Sequence, residues 1–299
     1  MKKFQMFSGI IIVLILIPLH ILSESPIVQN WYYNTVLIEN EWGKKGTGFL
    51  ILRGKQPNQG KIFLCTNKHV LHENSKMRDS ATKIKCYLNI KTNDNEIRPK
   101  SFVLGLVSST GDRRWKEHPD TTVDVLVFIV TDLFITHPEI IKNFCTYDFI
   151  ADSNIIEKEN ISVAEEILIL GYPLGFKQGE TNLPIVRQGI IATKIGQNYH
   201  ENYIDNKGKK RTRILRGFLI DGGSIPGSSG SPVVLKPVMG RKVGKEWQMK
   251  TAKPYLLGIL SETRFAPIKT KVGNLPGFAG LGFVFDAITI KEVIELFLN

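Results

Sequence analysis

The sequence holds little cysteine, little histidine and little long-range helical periodicity. Its three cysteines, Cys65, Cys86 and Cys145, are too few and odd in number for a disulfide framework. One pair could form, and the spacing does not say which. No CxxC pair and no His/Cys cluster offers a zinc site, so neither a metal nor a cofactor is expected. The cysteines read as small buried apolar residues. No internal repeat and no low-complexity tract stands out. Acid is scarce relative to base: 28 Asp and Glu stand against 39 Lys and Arg, a net charge of +11 with a pI near 9.4. Such a charge favours acidic partners, anionic membrane surfaces or nucleic acid. The lysines are spread along the chain with no base-reading motif beside them. They read as a solvated surface, and no nucleic-acid partner is expected.

What is present is enough to fold. With 299 residues, 42% hydrophobic and 22% charged, the chain can bury a core as one large pair of β-barrels or two ordinary domains. Residues 1–25 stand apart. Met1, Lys2 and Lys3 give a short positive start, and residues 6–22, "MFSGIIIVLILIPLHIL", are almost wholly apolar. This is the pattern of a signal peptide, or of a short uncleaved membrane anchor through residues 6–22. Either way the rest of the chain is expected outside the cytoplasm: periplasmic, on the cell surface or secreted.

Beyond residue 26 the pattern is that of short strands. "TVLIENEW", "GKKGTGFLILR", "KIFLCTNKHVL", "VDVLVFIV", "AEEILILGYPLG" and "PYLLGILSE" are apolar runs punctuated by Gly, Asn and Lys. "KIKCYLNIKT" alternates with period 2, as a half-buried strand does. An all-β fold is expected. Two helices are expected as well, over residues 136–144 ("THPEIIKNF") and over the amphipathic C-terminal 287–299. Residues 196–213 and 240–253 read as polar loops, and "KGKKRTR" in the first could dock an anionic surface or form an exposed hairpin tip.

One stretch, "IPGSSGSPVV" at residues 225–234, gathers the smallest residues of the chain. It is either a linker turn or a turn whose N–H groups and one hydroxyl face a reacting carbonyl. A serine needs a base to become a nucleophile, and the base needs a carboxylate to orient it. Among six histidines, His69 sits just after the apolar run "KIFLCT", where a sheet can hold it. Asp124, in "TTVDVLVFIV", is an acid in an apolar strand and needs a partner. Asp120, beside Pro119, reads as a turn residue.

Four segments then occur in order: "GTGFLI" (46–51), "CTNKHV" (65–70), "VDVLVF" (123–128) and "PGSSGSPV" (226–233). In this order the chain resembles the trypsin/chymotrypsin-like serine peptidases. It is nearest to the bacterial high-temperature-requirement (Deg-type) branch without its C-terminal peptide-binding module. "GYPLG" (171–175), "VRQGIIA" (186–192), "LLGILSE" (256–262) and "GLGFVF" (280–285) fall where that family's second barrel places strands. The likeness covers about residues 30–298.

The resemblance implies a peptidase domain over 26–299. It would hold two six-stranded antiparallel β-barrels, about 30–150 and 155–298, and a C-terminal helix. It implies Ser229 as nucleophile, since Gly227-Ser228-Ser229-Gly230 fits the family's G-x-S-G register, His69 as general base and Asp124 as its orienting acid. The backbone N–H groups of Gly227 and Ser229 would form the oxyanion hole. Gly223 would floor the primary pocket, and Ser261, Glu262 and Thr263 would pair with substrate backbone. A glycine floor points to small or apolar P1 residues, with Asp221 close enough to complicate this. Two departures stand out. Ser231 replaces the usual second glycine, and Ser228 replaces the aspartate that binds a new N-terminus in zymogen-activated relatives. The chain order His, Asp, Ser also differs from that of α/β-hydrolases. The expected function is that of an exported serine endopeptidase acting on proteins or peptides. The alternative is a non-catalytic member of the fold that binds peptides or an envelope partner.

Overall fold

The computed structural model describes residues 26–298, apart from 55–59, 73–79, 205–207, 224, 239–240, 244–245, 249–252 and 271–272. The expected export segment, residues 1–25, lies outside the described residues.

The chain opens with helix α1 (Pro26–Asn34), followed by strands β1 (Thr35–Asn40), β2 (Lys45–Arg53), β3 (Lys61–Thr66), β4 (Lys83–Lys91), β5 (Ile97–Gly105), β6 (Trp115–Glu117) and β7 (Leu126–Ile129). Then come α2 (Thr131–Thr136), the two-residue β8 (Cys145–Thr146) and α3 (Ser153–Lys158). The second half holds β9 (Glu166–Gly171), β10 (Ile185–Ile191), β11 (Tyr199–Ile204), β12 (Lys210–Leu215), β13 (Gly217–Asp221) and β14 (Pro232–Leu235). It ends with β15 (Arg241–Val243), β16 (Glu246–Gln248), β17 (Leu256–Thr270), β18 (Gly273–Asp286) and α4 (Ala287–Glu295).

The first seven strands form one sheet in the order β5-β4-β1-β2-β3-β7-β6, with β8 parallel to β2. This is more strands than the six expected, because the short β6 is added at one margin and the two-residue β8 pairs with the end of β2. Strand β4 shows why the sheet forms: its even-numbered residues from Ile84 to Leu88 are buried while Lys83 and Lys85 stay in water. In the second half, β10-β13-β18-β17-β14-β9 close into a six-stranded barrel, which leaves no edge to protect. Each unit has its own apolar centre. Ile38, Leu64, Leu88 and Phe128 fill the first, and Ile169, Ile220, Val233 and Val284 the second. A third cluster spans both and takes in Trp31, Cys65, Val125, Phe283 and the inner face of α4. All three cysteines are free and buried. Two β units seamed by a shared cluster and closed by a C-terminal helix make this a chymotrypsin-like fold.

The expected helix over 136–144 is absent. The helix lies earlier, at α2, and stops before His137 because Pro138 disfavours helical backbone in the residue preceding it. The polar stretch at 196–213 is a hairpin, β11 with β12, not a loop. Part of 240–253 likewise forms the short pair β15 and β16. Helices α1 and α3 were not expected. The latter is only six residues long and is held by a cap, the Asp152 carboxylate accepting from Ile155 N–H at 3.0 Å.

Candidate active site

Strand β3 ends at Thr66, and a single 3₁₀ turn, Lys68–Leu71, reverses the chain and carries His69 out at the seam. Asp124 approaches from the neighbouring strand. Because β3 pairs antiparallel with β7, with Thr66 opposite Leu126, the residues just beyond one strand meet those just before the other. Asp124 therefore precedes β7 rather than lying inside a strand, as the apolar run around it had implied. The contact is tightly specified. His69 Nδ1 lies 2.5 Å from Asp124 Oδ2, and the His69 backbone N–H donates to Asp124 Oδ1 at 3.1 Å. The Asn67 amide donates to the Asp124 carbonyl at 2.7 Å, and the Ser261 hydroxyl donates to Asp124 Oδ2 at 2.7 Å. Burial pushes the Asp124 carboxyl up, but the His69 charge and the His69 and Ser261 hydrogen bonds outweigh it and hold the group below its ordinary value. A carboxylate so placed accepts from the ring at Nδ1, the arrangement in which Nε2 is the nitrogen turned away from it.

Ser229 sits in a turn that only glycines permit. Gly227 and Gly230 both have φ of +90°, a region that side chains disfavour. A Cβ at Gly230 would stand 1.8 Å from the Thr47 carbonyl, and one at Gly227 would stand 2.4 Å from the Tyr172 carbonyl. The turn is tied to the first unit through Thr47, whose N–H donates to the Ser229 carbonyl at 2.8 Å and whose hydroxyl donates to the Gly227 carbonyl at 2.9 Å. Ser231, the departure from the family pattern, is fully buried. Its hydroxyl occupies the space a side chain at Gly171 would need, 2.0 Å from that glycine's missing Cβ. The two positions are complementary in volume, while the Ser231 hydroxyl finds no hydrogen-bond partner among the described residues.

Among the described residues the backbone N–H groups of Gly227 and Ser229 donate to no protein acceptor. Both residues line a cleft of about 530 Å³ together with His69, Lys44, Lys45, Leu174 and Gly175. The Ser229 hydroxyl donates to the Ser261 carbonyl at 3.0 Å, not to His69. Lys44 donates to the His69 carbonyl at 2.6 Å, and burial lowers its pKa against the opposing pull of Asp124.

The remaining expected residues lie nearby. Gly223 is buried with φ of +61°, and its N–H donates to the Gly280 carbonyl at 2.9 Å. Ser261, expected to pair with substrate backbone, donates its side-chain hydroxyl to Asp124 at 2.7 Å. Glu262 and Thr263 follow on β17, opposite Phe283 and Gly282 across the ladder to β18. Sequence reasoning missed Asn67 and Thr47 as supports, although both lie inside the quoted motifs "CTNKHV" and "GTGFLI". It also missed Arg187, whose guanidinium donates to the carbonyls of Gly222 and Gly223 at 3.1 and 2.6 Å. No side-chain cluster able to hold a metal ion occurs among the described residues.

No family model matches the chain, and no curated protein matches it. Solved structures do. The active form of the Rv3671c protease of M. tuberculosis is 17% identical, with 98% of this chain and 93% of that chain covered and a TM-score of 0.48. Deg5 is 14% identical, with 90% of each chain covered and a TM-score of 0.46. The HtrA-type protease AlgW with a decapeptide is 16% identical, with 90% of this chain and 66% of that chain covered and a TM-score of 0.41.

Proposed function

We propose that the chain is a serine endopeptidase that cleaves proteins or peptides through His69, Asp124 and Ser229. The observation that carries this reading is the 2.5 Å contact between His69 Nδ1 and the half-buried Asp124, with His69 lining the same cleft as a serine that has a left-handed glycine on each side of it in the turn. In the reaction, Ser229 Oγ attacks the scissile carbonyl carbon while its proton passes to His69 Nε2. The carbonyl oxygen gathers negative charge and is met by the N–H groups of Gly227 and Ser229, donors of a kind worth about 2.7–4 kcal/mol each at the transition state. The intermediate collapses, the C–N bond breaks, and the leaving amine takes the proton from His69. Water then attacks the acyl-enzyme ester, gives its proton to His69 and releases the acid, and the proton returns to Ser229. Asp124 stabilises the imidazolium in both halves.

The Ser229 hydroxyl must first leave the Ser261 carbonyl, a rotation about one side-chain bond. That orientation is the one observation favouring the alternative, a non-catalytic peptide-binding protein. The proposal includes export. Residues 1–25 would direct it, and among the described residues no helix is long and apolar enough to cross a membrane. The test is labelling of the full chain, purified in mild detergent, with a fluorophosphonate probe beside Ser229→Ala and His69→Ala. Modification at Ser229 that both variants abolish is expected. A folded wild-type chain that takes no label argues for the binding protein.

A further inference from the structure

The barrel of the second unit has an apolar centre, and among the described residues Arg187 is a charged side chain turned toward it. Along β10, residues 185, 187, 189 and 191 are less exposed than their neighbours, and Arg187 stands opposite Ile169, a fully buried residue of that interior. Arg187 therefore faces inward, at the end of the barrel that meets the Ser229 turn. There its Nη1 donates to the Gly222 and Gly223 carbonyls at 3.1 and 2.6 Å, and its Nη2 to the Ser228 hydroxyl at 3.3 Å.

All three partners are neutral. A half-buried guanidinium is costly without a counter-charge, and among the described residues Arg187 makes no ion pair. Burial lowers its pKa, as uncompensated desolvation should. The acid that adjoins Gly222 in the chain, Asp221, pairs across the ladder with the outward-facing Ile190 and is exposed, so it lies on the other face of the sheet. Of the five guanidinium N–H groups, two on Nη1 and one on Nη2 are used. The second Nη2 hydrogen and Nε–H remain, and they form the edge that binds a carboxylate side-on.

Building on the serine-peptidase reading above, we propose that Arg187 sets substrate choice, its free edge taking the carboxylate of an aspartate or glutamate at P1. The glycine floor carries no charge of its own, which had pointed to small or apolar P1 residues; the charge arrives from beneath it, from the adjoining strand. The cleft beside Ser229 has the same sign of charge: Lys44 and Lys45 line it, and none of its lining residues is acidic.

The test uses the full chain and fluorogenic peptides that differ only at P1: Glu, Asp, Ala, Leu and Arg. The expected wild-type kcat/KM is at least about tenfold higher for Glu or Asp than for Ala, the scale of a charge-assisted hydrogen bond. In Arg187→Met that ratio falls by about tenfold or more, while Arg187→Lys, charged but without the fork, keeps part of it. Fluorophosphonate labelling is run on the same samples. A wild-type chain that labels at Ser229 yet prefers Ala, Leu or Arg overturns the role of Arg187 and leaves the peptidase reading intact. Absence of labelling overturns the peptidase reading itself. Because the wild-type profile decides alone, a poorly folded variant does not shield the proposal.

Discussion

At the scale of single residues, the site depends on a few atoms with no spare room. Asp124→Asn keeps the shape of the carboxylate but removes the charge and puts an N–H where His69 needs an acceptor. The labelling rate of Ser229 should fall by about four orders of magnitude, as expected when an imidazole is held in the wrong tautomer; a loss under tenfold would remove Asp124 from the proposed triad. Gly230→Ala should cost more than 2 kcal/mol in a urea titration, or prevent folding, since its methyl would meet the Thr47 carbonyl and its φ is positive. The sequence made much of this readable. Ser229 was legible because glycines flank it, His69 because it follows an apolar strand, and Asp124 because an acid in an apolar run needs a partner. Arg187 was not legible. An arginine in "IVRQGII" looks like the polar member of an alternating strand, and only the register against Ile169 shows that it points inward.

At the scale of elements, most strands announced themselves and the short helices did not. The alternation in β4 and the apolar runs of β3 and β9 carry their burial in their composition. Helix α3 is six residues long and owes its place to a cap and to Lys291 pairing with Asp152 at 2.8 Å, a partner far away in sequence. The polar hairpin β11–β12 read as a loop because its strands, "YHENYI" and "KRTRIL", bury little and lack a clear apolar face. Helix α4 was readable from its apolar stripe, but its first turn carries a cost the sequence hides. Asp286, at its N-cap, makes no capping bond, and its Oδ1 is buried without a partner. Burial pushes this carboxyl from 3.8 up to about 6, against the pull of Arg216. Between those values the folded chain holds a proton that the unfolded chain releases, so the contribution of this one group is full below about pH 3.8 and is lost as pH rises through about 6. Asp286→Asn should raise stability at pH 7.5 by up to roughly 3 kcal/mol and flatten the pH dependence between 4 and 6, as followed by thermal unfolding. A variant less stable at pH 7.5 would show that the charge is compensated.

At the scale of the whole molecule, the two units share one seam. Trp31 of α1 is fully buried in the cluster that spans them, and its indole donates to the Pro254 carbonyl at 2.8 Å. Tyr172, at the end of β9, donates its hydroxyl toward the Thr35 and Asn182 carbonyls, at 2.9 and 2.7 Å. Arg53 of β2 pairs with Glu295 of α4 at 2.7 Å. Trp31→Ala should therefore destabilise both units together, by about 3–5 kcal/mol, with far-UV and near-UV circular dichroism moving in one transition. Two separated transitions would mean that the seam does not couple them.

The three cysteines give the molecule an intrinsic clock, two of them at this seam and one within the first unit. Burial pushes the Cys86 thiol up to about 12 and raises those of Cys65 and Cys145 as well, so none is reactive while its surroundings stay closed. Cys86 lies in the centre of the first unit, and Cys65 and Cys145 in the cluster shared by both. A thiol reagent added to the native chain thus meets no sulfur until that region opens. The order in which the three are modified reports where this molecule first lets water in, without any engineered probe.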